Sequence, residues 1–181
     1  MDYNVLEPFV LYRLFKDNGD EKAFTTLYEK FSKGLFNYLV RLIGDWHYAE
    51  DILVETFTKL ANSNLDNRGS LKAWLYRVAT NKAYKFLRKN RIEMCTPMEI
   101  VSDNSNPNET EIIKKIETQK LLDRLPEIYR SVVVLKFYER MSYQEIAETL
   151  CIPLGTVKSR MHEAIKSLRR LVSSLGFCKV K

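Results

Sequence analysis

The stretch SYQEIAETLCIPLGTVKSRMHEAIKSLRR, from Ser142 to Arg170, predicts two helices joined by a tight turn. Ser142 and Glu145 form the S-x-x-E pattern of a capping box, in which the hydroxyl accepts from a free backbone N–H and the carboxylate reaches back. Pro153 cannot continue the first helix. The apolar seam of the second helix follows helical spacing through Val157, Met161, Ala164 and Leu168. These features, in this order, predict a helix-turn-helix whose second helix enters a DNA groove.

The outward face of that second helix carries the side chains predicted to meet DNA. They are Thr156, Lys158, Ser159, Arg160, His162, Glu163 and Lys166. Lysine, serine and threonine suit phosphates and base acceptors, whereas a glutamate can accept from a cytosine amino group. The alternative is an ordinary helical hairpin with a solvated outer face. The capping box, the turn and the basic second helix occur in sequence, which favours DNA binding.

The composition of the 181-residue chain indicates an all-α protein. Its 45% hydrophobic residues suffice for packed cores, and six glycines, five prolines and scarce period-two patterns argue against sheets. The net charge of +6 indicates an anionic partner, nucleic acid before membrane. Three distant cysteines predict neither a disulfide framework nor a zinc site, so the cytoplasm is the expected compartment. Without a secretory signal or a run of about 18 apolar residues, we expect no direct insertion into a membrane.

Helical spacing and turn residues divide the chain into two modules. After an N-terminal extension over 1–20, a first module covers 21–92. Its three predicted helices are 21–44, 48–61 and 71–90. Residues 93–110 are rich in Pro, Ser, Asn and acidic residues and predict a flexible linker. The second module covers 111–175 and contains the helix-turn-helix, and 176–181 form a C-terminal tail.

The charges of the first module are segregated along the chain. Residues 42–66 hold five acidic residues against one basic residue, whereas 68–92 hold eight basic residues and no acidic one. A helix with uncompensated cations repels itself and forgoes the few tenths of a kcal/mol that each i,i+4 ion pair provides. A solvated structural face would normally mix signs. The basic helix therefore predicts a second nucleic-acid contact, and the acidic helix, which repels phosphate, predicts a protein contact.

The combination resembles bacterial RNA polymerase sigma factors, specifically the extracytoplasmic-function group of the sigma-70 family. Leu125 to Arg169 is similar to region 4, which in that family reads the −35 promoter element. Ala23 to Asn62 is similar to regions 2.1 and 2.2, and Gly69 to Arg91 to regions 2.3 and 2.4, which open and read the −10 element. The resemblance implies an all-α fold of two small helical domains, sigma region 2 and sigma region 4, joined by a flexible linker.

The resemblance also implies which residues bind which partner. The acidic helix is expected on the β′ clamp helices of core RNA polymerase through Glu50, Asp51 and Glu55. The outward residues of the helix-turn-helix are expected on the −35 element. The −10 element is assigned to Asn64, Asp66, Asn67, Arg68, Ser70, Arg77, Asn81, Lys82, Tyr84, Lys85 and Arg88. Melting exposes a base that a polar loop can hold flipped out, while cations hold the phosphates of the single strand.

Further partners follow from the resemblance alone. The family implies promoter DNA, the β flap of the polymerase and, from the group, an anti-sigma protein. The free chain is expected to be a monomer without cofactor or metal.

Two aromatic residues of the basic helix could stack on bases. Trp74 lies on the apolar seam, which favours core packing, and Tyr76 is expected to be more open.

The sequence departs from the family pattern at several positions. Val54 stands where the family usually has Gln, and Lys59-Leu60 where an aromatic residue often ends the helix. His162 and Glu163 replace aromatic or basic residues, so the −35 sequence cannot be inferred from relatives. Cys151 occupies the turn position where Gly is common, and if it is left-handed it costs about 1 kcal/mol relative to Gly.

Two other classes of function were considered. A helix-turn-helix regulator that binds an operator without polymerase would have a similar second module, but it would not need the acidic helix followed by the all-basic one. His47 with Asp45, Glu50 and Asp51 suggests a metal or acid–base cluster, yet no second histidine is near and surface helix charges explain the group. With no GxxxxGK loop either, we expect no enzyme activity.

Overall fold

The computed structural model describes residues 2–66, 69–93 and 118–174, except for the side chains of 90–93 and 174. Within those ranges every regular element is helical. The elements are a 3-10 turn at Tyr3–Val5, α1 (Pro8–Asn18), α2 (Glu21–Ile43), α3 (Trp46–Asn62), α4 (Leu71–Glu93), α5 (118–123), α6 (Glu127–Phe137), α7 (Tyr143–Leu150) and α8 (Leu154–Ser174). The three helices predicted for the first module are confirmed. Most of the predicted linker, over 94–110, and the tail at 176–181 lie outside the described residues.

Local capping residues set the helix ends in the first domain. The Asp20 side chain accepts from the backbone N–H of Lys22 and Ala23 at 3.1 and 3.2 Å, which begins α2. Gly44 adopts φ 83°, a left-handed conformation that ends α2. Asp45 then caps α3 by accepting from the N–H of Tyr48 at 3.2 Å. The sharp turn between α2 and α3 thus follows from a Gly-Asp pair.

The first domain packs α1, α3 and α4 around α2. Its fully buried residues include Leu27, Leu35, Leu39, Leu42, Leu60, Leu75, Ala79 and Ala83. These positions follow the helical spacing predicted for each segment, because a helix on the surface of a domain buries one stripe. The buried stripe of α4 lies on the opposite side of the helix from its basic residues. The cations are therefore left at or near the surface.

The second domain consists of α5 to α8 and continues the same core. Val132, Val134 and Leu135 of α6 and Ile146 of α7 are fully buried, and they belong to one hydrophobic cluster with the buried residues of α2 and α4. Helix α2 contacts α6, and α4 contacts α6 and α7. We call this contact between the two domains the domain interface. The sequence left the relative placement of the modules open, and the structure defines it.

Arg130 of α6 anchors one end of the domain interface. Its Nη1 donates to the carbonyl of Leu42 near the end of α2 at 2.8 Å, and its Nη2 donates to the carbonyls of Asp123 and Leu125 at 2.7 and 3.1 Å. Burial lowers the pKa of Arg130 and raises the pKa of Asp123, while the two charges oppose these effects by attracting one another. Since Arg130 is only 8% exposed, removing its partners would leave a buried charge.

Candidate nucleic-acid interface

The helix-turn-helix has the capping box that its sequence predicts. The N–H of Glu145 donates to Oγ of Ser142 at 3.2 Å, and the N–H of Ser142 donates to Oε2 of Glu145 at 2.7 Å. The hydroxyl of Ser142, followed by its backbone N–H, stabilises the charged carboxylate of Glu145 and so lowers the pKa of Glu145. Cys151 adopts φ 51° and ψ 47°, so the left-handed turn considered for this residue is confirmed. The N–H of Ile152 then donates to the carbonyl of Ala147 at 3.1 Å and closes the turn.

The second helix of the motif, α8, leaves most of the predicted DNA-facing residues accessible. Val157, Met161 and Ala164 are buried as predicted, and Leu168 is half-buried. Lys158, Ser159, His162 and Lys166 are exposed, whereas Thr156 and Glu163 are half-buried. Lys166 lies 4.0 Å from Glu163, an exposed ion pair of little energetic value. The accessible face therefore combines cations, hydroxyls and one carboxylate.

Arg160 is half-buried, like Thr156 and Glu163, and its charge acts on Tyr84 of α4. Burial raises the pKa of Tyr84, and the positive charge of Arg160 opposes this increase. The positive charge of Arg160 thus lies near enough to Tyr84 to affect the pKa of that phenol.

The acidic residues of α3 lie on an exposed face together with apolar side chains. Glu50 and Asp51 are exposed, and Glu55 is exposed but pairs with Lys82 of α4. Trp46 and Val54, one turn on either side of Glu50, are 46% and 55% exposed. Exposed large apolar residues beside charges are typical of a protein contact. The sequence predicts the acidic residues of this face, whereas the exposure of Trp46 and Val54 beside them is visible only in the structure.

The predicted −10 residues of the loop and of the outer face of α4 are accessible. Asn64, Asp66, Ser70, Asn81, Lys85 and Arg88 are exposed. The Ser70 hydroxyl accepts from the N–H of Ala73 at 3.4 Å at the start of α4. Asn67 and Arg68 lie outside the described residues. A polar loop thus leads directly into a helix with outward cations.

Three further residues assigned to the −10 element have partners within the protein. Arg77 donates through Nη2 to the carbonyl of Glu148 at 2.8 Å and through Nε to the carbonyl of Thr149 at 3.4 Å. Tyr84 shares a hydrogen bond of 2.6 Å with the Ser131 hydroxyl of α6. Lys82 pairs with Glu55, as described above. The structure therefore brings Arg77 and Tyr84 to the domain interface, because the last carbonyls of α7 and a buried hydroxyl of α6 need partners.

The expectation that Tyr76 is open was wrong. Its side chain is 2% exposed and its hydroxyl donates to the carboxylate of Glu139, which follows α6. Burial, reinforced by the hydrogen bond to Glu139, raises the pKa of Tyr76 far above the usual value for a phenol. Gly34 of α2 makes room for the pair, since a Cβ there would lie 2.9 Å from the Tyr76 hydroxyl. The second domain covers the face of α4 that carries Tyr76, which the sequence of α4 alone does not reveal.

A cavity of about 650 Å³ lies beside the loop and is lined by residues of both domains. Leu65 and Trp74 line it from the first domain, and Glu148, Cys151 and Ile152 line it from the helix-turn-helix. Trp74 is half-buried and packs against the core, with one side on this cavity. The −10 loop and the turn of the helix-turn-helix are thus neighbours across an open space.

Within residues 2–66, 69–93 and 118–174, no helix combines the length and the apolar composition that a membrane span requires. No group of three His, Cys, Asp or Glu side chains in these ranges is placed to hold a metal ion.

Comparison with known proteins identifies the family. The model for sigma-70 region 2 matches residues 27–92, and the model for sigma-70 region 4 matches residues 115–168. The chain is 33% identical to the ECF RNA polymerase sigma factor SigW of Bacillus subtilis, in an alignment that covers 87% of this chain and 92% of that protein.

Two solved structures share the fold. The structure of CnrH in complex with the cytosolic domain of CnrY has a TM-score of 0.71 at 19% identity, covering 96% of this chain and 99% of CnrH. The sigma factor RpoE from Bartonella quintana, in complex with the anti-sigma factor NepR, has a TM-score of 0.67 at 24% identity, covering 84% of this chain and 98% of RpoE. With both sigma regions matched and SigW aligned over most of its length, the chain belongs to the extracytoplasmic-function group of sigma-70 RNA polymerase sigma factors, which direct transcription initiation.

Proposed function

We propose that the two basic surfaces of this sigma factor read the two promoter elements while the exposed face of α3 holds core RNA polymerase. The observation that carries the proposal is the segregation of charge on exposed faces. Glu50 and Asp51 lie on α3, whereas Lys85 and Arg88 on α4 and Lys158 on α8 are exposed cations. Cations attract the DNA backbone, and an acidic, partly apolar face repels it and suits a protein.

The −35 contact is assigned to the exposed face of α8. Its first turns present Lys158, Ser159 and His162, and a helix-turn-helix places the N-terminal residues of its second helix against base edges. Thr156, Arg160, Glu163 and Lys166 complete the surface. Lysines of this face position the helix on phosphates, while His162 and Glu163 supply sequence preference.

The −10 contact is assigned to the loop from Asn64 to Ser70 and to the outer face of α4. Asn81, Lys85 and Arg88 are accessible in the free chain. Arg77 and Tyr84 become available only when α4 parts from α7 and α6, because both hydrogen-bond to the second domain. Promoter melting therefore requires that the domain interface open, which core polymerase would drive by holding the two domains apart.

Contacts with polymerase are proposed at two places. Glu50, Asp51 and Glu55, together with the exposed Trp46 and Val54, form a face suited to the β′ clamp helices. Phe137 at the end of α6 is 63% exposed and is proposed to contact the β flap. Exposed aromatic residues commonly anchor protein interfaces, because they bury a large apolar area with few rotatable bonds.

We also propose an anti-sigma protein as a regulatory partner. CnrH is described in complex with the cytosolic domain of CnrY, and RpoE of Bartonella quintana in complex with the anti-sigma factor NepR. For this chain we further propose a cytoplasmic location, a monomeric free state, and no enzyme activity or cofactor of its own. Any nucleotide chemistry then belongs to the polymerase.

Run-off transcription with purified core polymerase tests the proposed function. Templates are fragments of the genome that carries the gene, and the expected result is a set of transcripts that depend on the sigma factor and start at defined positions just downstream of promoters. Absence of any such transcript, together with failure to co-purify with core polymerase, would refute the proposal.

The polymerase face has its own test. Asp51→Ala is expected to weaken core binding by about tenfold, the usual scale for a charge at an interface, and to leave binding of −35 DNA unchanged. Glu29→Ala, which removes an exposed acid from α2, is the matched control. A loss of core binding by Asp51→Ala that is no larger than the loss by Glu29→Ala would contradict the assignment.

A further inference from the structure

The N-terminal helix α1 is attached to the start of the loop assigned to the −10 element. The sequence of residues 1–20 does not by itself predict a role for this segment. In the structure α1 packs against α2, and its Leu11 and Tyr12 are 0% and 1% exposed. Phe9 packs beside Tyr12 with ring centroids 5.7 Å apart and also lines the cavity next to the loop. The segment is therefore part of the first domain.

The Tyr12 hydroxyl makes two hydrogen bonds to the backbone of this loop. It donates to the carbonyl of Ser63 at 2.5 Å and accepts from the N–H of Leu65 at 3.1 Å. One turn further along α1, Lys16 donates from Nζ to the carbonyl of Ala61 at 3.0 Å, in the last turn of α3. Helix α1 thus holds the chain at three points between residues 61 and 65.

The two bonds of Tyr12 lie on either side of Asn64. Leu65 is half-buried and packs against the core, whereas Asn64 is exposed. Fixing the carbonyl before Asn64 and the N–H after it restrains the backbone torsions of that residue. The amide side chain, which can both donate to and accept from a base edge, is then presented outward from a fixed position.

We propose that Tyr12 is a positioning residue for −10 recognition, setting the backbone at Asn64 so that its amide meets the base captured by the loop. The inference rests on the proposed role of residues 64–70. A loop that is already ordered before binding loses little conformational entropy when it binds the single strand. The restraint therefore adds to affinity and to base discrimination. Tyr12 acts through Asn64 and touches no DNA itself.

The test uses holoenzyme, reconstituted from full-length sigma factor and core polymerase, with a promoter library randomised at the −10 and −35 elements. Tyr12→Phe removes the hydroxyl and keeps the buried ring. Its expected effect is to reduce discrimination at one −10 position by about fivefold, the scale of one net hydrogen bond. The −35 preference and the affinity for core polymerase are expected to stay at the wild-type level.

Two further variants separate positioning from a general loss of stability. Tyr38→Phe removes another buried tyrosine hydroxyl. That hydroxyl hydrogen-bonds to the Thr80 hydroxyl at a distance of 2.7 Å and does not bond to the loop, so the variant should leave −10 discrimination unchanged. Asn64→Ala should flatten the preference at the same −10 position as Tyr12→Phe. The double variant Tyr12→Phe/Asn64→Ala should then be no worse than Asn64→Ala alone, since the two act through one side chain.

The outcomes distinguish this inference from the proposed function. Wild-type discrimination at every −10 position in Tyr12→Phe holoenzyme would overturn the inference and leave the −10 role of the loop intact. Additive losses in the double variant, or an equal loss from Tyr38→Phe, would overturn it too. A wild-type holoenzyme without any −10 preference would instead refute the proposed function.

Discussion

The guanidinium of Arg77 in α4 lies 2.8 Å from the carbonyl oxygen of Glu148 in α7, so a cation assigned to the −10 element binds the helix-turn-helix assigned to the −35 element. In the same way Tyr76 donates to Glu139, and Tyr84 bonds to Ser131. The second domain therefore holds three side chains of α4, and two of them, Arg77 and Tyr84, are ones that we propose to bind the −10 element. We accordingly propose that DNA and the domain interface compete for Arg77 and Tyr84, and that the interface opens during promoter recognition.

Glu139→Ala is expected to weaken this interface more than Tyr76→Phe. Alanine leaves the Tyr76 hydroxyl buried without an acceptor, at a cost of about 1–3 kcal/mol, whereas Tyr76→Phe removes the buried hydroxyl and leaves a half-buried carboxylate that water can reach. Urea unfolding measures both free energies. Glu148→Ala is the control, because the bond from Arg77 uses the backbone carbonyl of Glu148 and its side chain is exposed. The reverse order of the two losses would contradict the burial of this pair.

Alkaline pH is expected to destabilise the folded chain through its buried tyrosines. Burial raises the pKa of Tyr38, Tyr76 and Tyr84 above the ordinary value of 10.0. Above pH 10 the unfolded chain therefore releases phenolic protons that the folded chain keeps. The free energy of unfolding falls by about 1.4 kcal/mol per pH unit for each such group until its folded pKa is reached.

The contribution of one tyrosine to this pH dependence can be isolated. Tyr76→Phe should reduce the fall in unfolding free energy between pH 10 and 11 by about 1 kcal/mol, because the phenol of the unfolded chain is already half ionised at pH 10. Urea unfolding at several pH values gives the slopes of both proteins. Titration of lysines contributes to each slope and cancels in the difference. Identical slopes would mean that Tyr76 ionises as readily in the folded chain as in the unfolded one.

Cys151→Gly is expected to stabilise the protein. Cys151 sits at φ 51° in the turn of the helix-turn-helix, where a side chain costs about 1 kcal/mol that glycine avoids. The side chain is exposed, so little packing is lost. Thermal or urea unfolding measures the gain. Cys151→Ala is the matched control, since it removes the thiol and keeps the strained Cβ. An equal gain from both variants would assign the effect to the thiol.

Local patterns made the helix-turn-helix predictable residue by residue. Ser142, Glu145 and Pro153 act on backbone groups within four positions of themselves, so a short window of sequence contains the whole cause. The buried seam of α8 follows in the same way from helical periodicity. The αL conformation of Cys151 was predictable as a possibility because a helix that reverses direction needs such a residue near its end.

Contacts across the domain interface could not be predicted from the sequence. Tyr76 and Glu139 are 63 residues apart, and Arg77 and Glu148 are 71 apart. Periodicity shows which face of α4 a residue occupies, but it does not reveal whether a second domain covers that face. Tyr12 presents the same difficulty: a tyrosine with an apolar spacing predicts burial, whereas its bonds to Ser63 and Leu65 depend on the path of a loop 51 residues later.

Lys158→Ala is expected to lower promoter affinity of the holoenzyme and to change its salt dependence. An exposed lysine at the start of α8 that neutralises one phosphate releases about one counterion, so its loss should make the slope of log K against log salt less negative by about 1. The loss of affinity is therefore largest at low salt and similar for all −35 sequences. Lys22→Ala, which removes an exposed cation from the first turn of α2, is the control and should keep the wild-type slope. A loss confined to particular −35 sequences, with the slope unchanged, would instead show that Lys158 reads a base.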